Sequence, residues 1–231
     1  MKPPGPLLAS GRDSDIFEYG PGLVLRRSRE GHSMANEART MAFVQQKGYP
    51  VPAIHELSDD GLDLVMERID GVSMVEAIGK APWTVRRQAA TLAELHLQLH
   101  EIEAPDFLPR SPVGNGNKVL HLDLHPLNVM VGPKGAVVID WPNAHRGDPS
   151  VDVGLAWVLM AAGEIPGGGL KARLLAFGRA LLVNGFLSHF DRAAVARHLR
   201  EIVEIKRQDA HMSEAEIARM WKVVEQEEAR R

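Results

Sequence analysis

The residues best suited to chemistry lie between positions 121 and 140. The segment His121-Leu-Asp-Leu-His-Pro-Leu-Asn128 is followed twelve residues later by Asp140-Trp141. Two short apolar runs, 119–120 and 136–139, bracket this polar loop. Asp123 can accept a proton from an attacking hydroxyl. Asn128 offers an amide carbonyl and Asp140 a carboxylate, the hard oxygen donors that magnesium takes. Val137-Val-Ile139 reads as a buried strand, which puts Asp140 at a strand end facing a cleft. One base and two oxygen ligands brought together fit phosphoryl transfer, where positioning and charge neutralisation do most of the catalysis. Taken singly, each of these residues also reads as an ordinary turn or strand-end residue, because Asp and Asn favour turns.

The flanking elements have to bring these groups together. Residues 15–18 and 23–27 read as strands around the turn Tyr19-Gly-Pro-Gly22. The spacing of Met34, Met41, Phe43 and Val44 predicts a helix over 34–47, stopped by Gly48 and Pro50. Strands over 53–57 and 62–67 follow, joined by Ser58-Asp-Asp-Gly61. From residue 70 the pattern turns helical. Ser73-Met-Val-Glu76 is a capping box, and Val85, Leu92, Leu95, Leu99 and Ile102 keep one face of a long helix. Helices are expected over 151–162, 168–189, 191–208 and 214–229. A second capping box, Ser213-Glu-Ala-Glu216, opens the last, and Arg230 and Arg231 suit its negative end. Strands followed by helices imply an α+β fold in two lobes, 1–69 and 70–231, with the linker near 67–71 and a ligand site between them.

Composition narrows the function classes. The net charge of -3 leaves no basic footprint for nucleic acid, and the absence of cysteine excludes disulfides, thiolate zinc sites and cysteine nucleophiles. No run is apolar enough to span a membrane, and the first residues do not read as a signal peptide, so a soluble cytoplasmic protein is expected. HLDLH and His96-x-x-x-His100 invite a metal-hydrolase reading. No glutamate follows His96, however, so the zinc-protease motif is missing and the pair reads as interface histidines on an amphipathic helix.

His-x-Asp-x-x-x-x-Asn, then an apolar strand and Asp, resembles the catalytic loop and metal-binding Asp of kinases. More narrowly, HLDLHPLNVMV, VVIDW and HRGDPSVDVG resemble the aminoglycoside phosphotransferase and choline kinase-like family over about residues 8–160. The resemblance implies a protein-kinase-like fold and transfer of the ATP γ-phosphate, with Mg²⁺, to a hydroxyl of a small molecule. It makes Asp123 the catalytic base and Asn128 and Asp140 the magnesium ligands. His121 supports the loop, and His125 belongs to the loop typical of the small-molecule kinases. Asp148 and Asp152 fall in the Gly-Asp-Pro…Asp segment as architecture, with Asp152 capping the catalytic-loop backbone.

The same resemblance places the nucleotide contacts in the first lobe. Ser10-Gly-Arg-Asp-Ser-Asp15 stands where a kinase carries its phosphate-covering loop, with one glycine and no G-x-G-x-x-G; Ser14 would reach a phosphate oxygen. Val24-Leu-Arg-Arg27 occupies the strand of the phosphate-binding lysine, with Arg26 at the lysine position and Glu37 as its partner. Arg27 alternates to the opposite face. Arginine keeps the charge but has a different shape. Leu64-Val-Met-Glu-Arg-Ile-Asp-Gly71 is the hinge, where the backbones of Glu67 and Ile69 would contact adenine.

Two other readings stand beside this one. A catalytically weak or inactive nucleotide-binding scaffold is favoured by Arg26. A protein kinase is disfavoured by the short stretch between Asp140 and Gly147-Asp148-Pro149. The region past 160 is short for the family, so the acceptor pocket is trimmed, open, or completed by a second subunit in a homo-oligomer.

Overall fold

The structure, a computed structural model, describes residues 1–11, 13–163, 169–209 and 212–230. Of the loop 10–15 it omits Arg12. Gly168 and Arg231, expected at helix ends, lie outside the described residues. The chain divides into two compact units, Met1–Val72 with Met130–Ala144, and Ser73–Val129 with His145–Arg231. The division is therefore not one cut in sequence, because the segment carrying Asp140 belongs to the first unit.

The first unit is built on an antiparallel five-stranded sheet, with β1 (Leu7–Ser10), β2 (Ser14–Gly20), β3 (Leu23–Ser28), β4 (Ile54–Leu57) and β5 (Asp63–Glu67) in the order β1-β2-β3-β5-β4. Helix α1 (Ala35–Gln46) covers one face. Period-2 alternation divides the apolar residues between the faces. Leu64 packs with Met34 and Ala38 on the helix side, and Leu25 and Val65 pack with Tyr19 on the other. Strand β1 has no residue buried, which is why the alternation argument does not find it.

Strands β6 (Val72–Ser73), β8 (Val129–Gly132) and β9 (Gly135–Val138) form a second sheet in the order β6-β8-β9. Backbones approach closely here. A Cβ on Gly71 would lie 2.6 Å from the Val131 carbonyl oxygen, and one on Gly132 would lie 2.3 Å from that of Asp70. Only glycine fits both positions.

The second unit holds the helices α2 (Met74–Lys80), α3 (Val85–Glu101), α4 (Pro149–Ala162), α5 (Gly169–Leu187), α6 (Arg192–Ala196), α7 (Leu199–Lys206) and α8 (Glu214–Glu228), with a short strand pair, β7 (Lys118–Leu120) against β10 (His145–Gly147). Helix α4 is apolar nearly all round and almost wholly buried, as a central helix must be. Asp148 caps it by accepting from Ser150 N at 2.8 Å, with Pro149 in its first turn.

Two expectations change. The helix expected over 191–208 is two helices, with Arg197 and His198 between α6 and α7. The box at Ser73 is half made: Ser73 Oγ accepts from Glu76 N, while the Glu76 carboxylate pairs with Lys80 at 2.7 Å. The box at Ser213 is complete. Among the described residues no helix is long and apolar enough to cross a membrane.

Candidate functional site

In the second unit the loop after β7 is held from below by a buried carboxylate. Asp152, on α4 and fully buried, accepts from the backbone N–H of His121 at 3.1 Å and of Leu122 at 2.8 Å. It also meets His100 Nε2, from α3, at 3.0 Å. Burial alone would raise the Asp152 pKa. The hydrogen bond and charge of His100, with smaller effects of His96 and His121, more than offset this and hold it well below the carboxylate range.

Leu122 and Asp140 are the two non-glycine residues with positive φ among the described residues, at 56° and 67°. Asp tolerates the left-handed region, whereas a leucine there costs on the order of 1 kcal/mol or more. The bond from Leu122 N to Asp152 helps hold that turn. Backbone strain therefore coincides with the two motif segments that sequence spacing singled out.

The turn presents Asp123. Asn128 Nδ2 donates to the Asp123 backbone oxygen and to its Oδ2, both at 3.0 Å. This turns the amide carbonyl of Asn128 away from Asp123. His125 Nδ1 accepts from Leu127 N at 3.3 Å, so its proton is assigned to Nε2, which faces Asp123 Oδ1 at 3.4 Å. Burial pushes Asp123 up, but the hydrogen bond and charge of His125, with help from His121 and Lys206, leave it below its ordinary value. Asp123 is thus a carboxylate at neutral pH, able to take a proton.

In the first unit Arg26 collects three acceptors. Its Nε donates to Ser14 Oγ at 2.8 Å, its Nη1 to Glu37 Oε1 at 2.5 Å and its Nη2 to Asp140 Oδ1 at 3.1 Å. Strand register explains its direction. Arg26 stands opposite Leu64, on the α1 side of the sheet, and Arg27 stands opposite Asp63 on the other side. Arg27 pairs with Asp63 in bidentate fashion at 2.7 and 2.6 Å.

Glu37 is buried on α1 and also accepts from Trp141 N at 3.0 Å, which fixes the backbone just after Asp140. Burial pushes the Glu37 carboxyl up, and Arg26 and the Trp141 N–H pull it back only in part. Burial opposes the charge on Arg26, yet Glu37 and Asp140 outweigh it and hold the guanidinium above its ordinary value.

The remaining site residues are placed as follows. Glu67 ends β5, and its N–H is already given to the Ala53 oxygen at 2.8 Å. Ile69 follows the strand in the segment leading to Gly71. His121 is fully buried, and Asp148 Oδ2 faces His198 Nε2 at 3.5 Å besides capping α4.

His96 is fully buried, with the Phe186 ring at 4.9 Å and its Nδ1 bonded to the Leu92 oxygen. No group of three or more His, Cys, Asp or Glu able to hold a metal occurs among the described residues. Asn128 in the second unit offers an amide oxygen and Asp140 in the first a carboxylate, each a hard donor of the kind magnesium takes.

Sequence reasoning missed the anchoring role of His100 and the N–H of Trp141. The spacing His96-x-x-x-His100 marks His100 as an interface histidine on an amphipathic helix but gives no hint of a partner on α4.

The sequence profile of the phosphotransferase enzyme family matches residues 6–118 and 117–198. The chain belongs to this family. Solved structures of other phosphotransferases share its α+β, kinase-like fold at low sequence identity. A choline/ethanolamine kinase family protein from Mesorhizobium loti has a TM-score of 0.57 at 16% identity, over 97% of this chain and 81% of that one. A thermostable mutant of an aminoglycoside phosphotransferase has a TM-score of 0.60 at 15% identity, over 96% and 94%. An amicoumacin kinase in complex with AMP-PNP, Ca²⁺ and Ami has a TM-score of 0.53 at 15% identity, over 96% and 88%. No curated protein matches the sequence.

Proposed function

We propose that this phosphotransferase moves the γ-phosphate of ATP to a hydroxyl of a small molecule. The observation that supports this most is the state of Asp123, a carboxylate steadied by Asn128 and His125 on a loop whose own backbone is tied to Asp152. In the proposed reaction the acceptor O–H gives its proton to Asp123. Its oxygen forms the new bond to the γ-phosphorus as the bond from that phosphorus to the β–γ bridging oxygen breaks, and ADP leaves.

Asn128 and Asp140 are assigned as the magnesium ligands. A bound magnesium ion would neutralise charge on the phosphates. Residues 1–69 are assigned to the nucleotide, and 70–231 to the catalytic loop and the acceptor. Arg26, held by Glu37, takes the place of the usual lysine against the phosphates, and Ser14 serves the phosphate loop. Because the N–H of Glu67 is engaged, an adenine contact there falls to its carbonyl, with the donor supplied by Ile69. The kinship of the fold to choline, aminoglycoside and amicoumacin kinases supports a hydroxylated small-molecule acceptor.

The test is ADP release from Mg-ATP against a panel of hydroxylated amines, sugars and antibiotics, with Asp123→Asn run in parallel. Acceptor-dependent ADP release that is lost in Asp123→Asn is expected. ATP binding with no turnover on any acceptor would favour the second reading, a nucleotide-binding scaffold. Arg26 in place of lysine is the observation on its side.

A further inference from the structure

The guanidinium of Arg26 is tied at all three of its nitrogens, to Ser14 on β2, to Glu37 on α1 and to Asp140 after β9. One of these anchors is firm. The Glu37 side chain is only 4% exposed, and that of Arg26 itself 12%, so the fork is fixed on the Glu37 side. Asp140 differs, because its side chain is 42% exposed.

We infer that Arg26 is an internal cation that holds Asp140 while no metal is bound, so that a divalent ion and Arg26 compete for one carboxylate. This rests on the assignment of Asp140 as a metal ligand under the proposed function.

The charges support it. One guanidinium faces two carboxylates, which leaves the group net negative and attractive to a dication. Shape supports it as well. A planar fork can bond Ser14, Glu37 and Asp140 from separate nitrogens, whereas an ammonium is a single point donor. When a dication takes the carboxylate, the Nη2 arm is released with its hydrogens free, next to Ser14 in the loop assigned to phosphate. Metal and nucleotide would then favour each other reciprocally, through one side chain.

The experiment measures binding of Mn²⁺ alone, without nucleotide, by the loss of its free-ion paramagnetic resonance signal. The proteins compared are the parent, Arg26→Ala, Arg26→Lys, Asp140→Asn and the double variant Arg26→Ala/Asp140→Asn, each checked for its urea midpoint. Arg26→Ala should bind Mn²⁺ roughly two- to fivefold tighter than the parent, the scale of a half-exposed ion pair. Arg26→Lys, with its charge unchanged and its fork gone, should also bind tighter than the parent, and it keeps the test valid if the alanine variant does not fold. The gain should vanish in the double variant.

Equal or weaker Mn²⁺ binding in Arg26→Lys overturns the competition of Arg26 with the ion for Asp140. If Asp140→Asn still weakens Mn²⁺ binding in that case, the ligand assignment stands. Mn²⁺ binding indifferent to Asp140→Asn in every background overturns both together.

Discussion

The backbone N–H of Leu122 donates to Asp152 Oδ1 at 2.8 Å, joining a left-handed residue just before Asp123 to a fully buried carboxylate on α4. The direction of Asp123 thus depends on a residue thirty positions away in sequence. Asp152→Ala should leave two backbone donors and His100 without their acceptor. The expected loss is about 3 kcal/mol or more of stability, read from the urea midpoint. Asp152→Asn should recover part of the stability and little of the turnover, because an amide offers one acceptor oxygen where the carboxylate offers two. An alanine variant with parental stability would show that the anchor carries no energy.

Asp123→Asn should lower kcat by roughly 10²–10⁴-fold, the usual contribution of a general base, with ATP affinity close to that of the parent. His125→Ala should lower kcat less and move the acidic limb of the pH–rate profile upward, because His125 helps hold Asp123 below its ordinary value. Parallel kcat/KM profiles for parent and His125→Ala would remove that role.

Arg26 and Arg27 give a test of strand register. Arg26→Ala should raise the KM for ATP or lower kcat, and Arg26→Lys should keep part of the activity. Arg27→Ala should leave turnover nearly unchanged and cost at most about 1 kcal/mol, since its pair with Asp63 is exposed. The opposite ranking in steady-state kinetics would mean that Arg27 serves the phosphates.

His96 should make stability fall in mild acid. Its burial lowers its pKa from 6.5 to about 4, with Asp152 pulling the other way and His100 adding to the decrease. A histidine held neutral in the fold binds its proton first in the unfolded chain. Its stabilisation is therefore complete above pH 6.5 and is lost as pH falls toward 4, up to roughly 3 kcal/mol. Asp152 acts below that window, since its lowered value withdraws stability only once unfolded carboxylates protonate. Urea midpoints between pH 7 and 4.5 should fall more steeply for the parent than for His96→Met, and equal slopes would count against His96.

Several features follow from the sequence alone because the physics behind them is local. Asp123 and Asn128 are five residues apart in one tight loop, so their bond is nearly set by spacing, and Ser213 with Glu216 closes a capping box within a single turn. Alternation along β3 similarly requires Arg26 and Arg27 to face opposite ways. Which of them faces α1 is a matter of register: Arg26 is opposite Leu64, and Leu64 packs under the helix. Tertiary structure alone decided the longer pairings. Arg26 meets Asp140 across 114 residues, Trp141 N meets Glu37 across 104 and His100 meets Asp152 across 52. It also placed 130–144 with the strands and broke the helix expected over 191–208. A motif lists which groups a loop can offer. Which buried donor meets which acceptor is settled only on folding, where each polar group removed from water must find a partner among those the packed elements bring within reach.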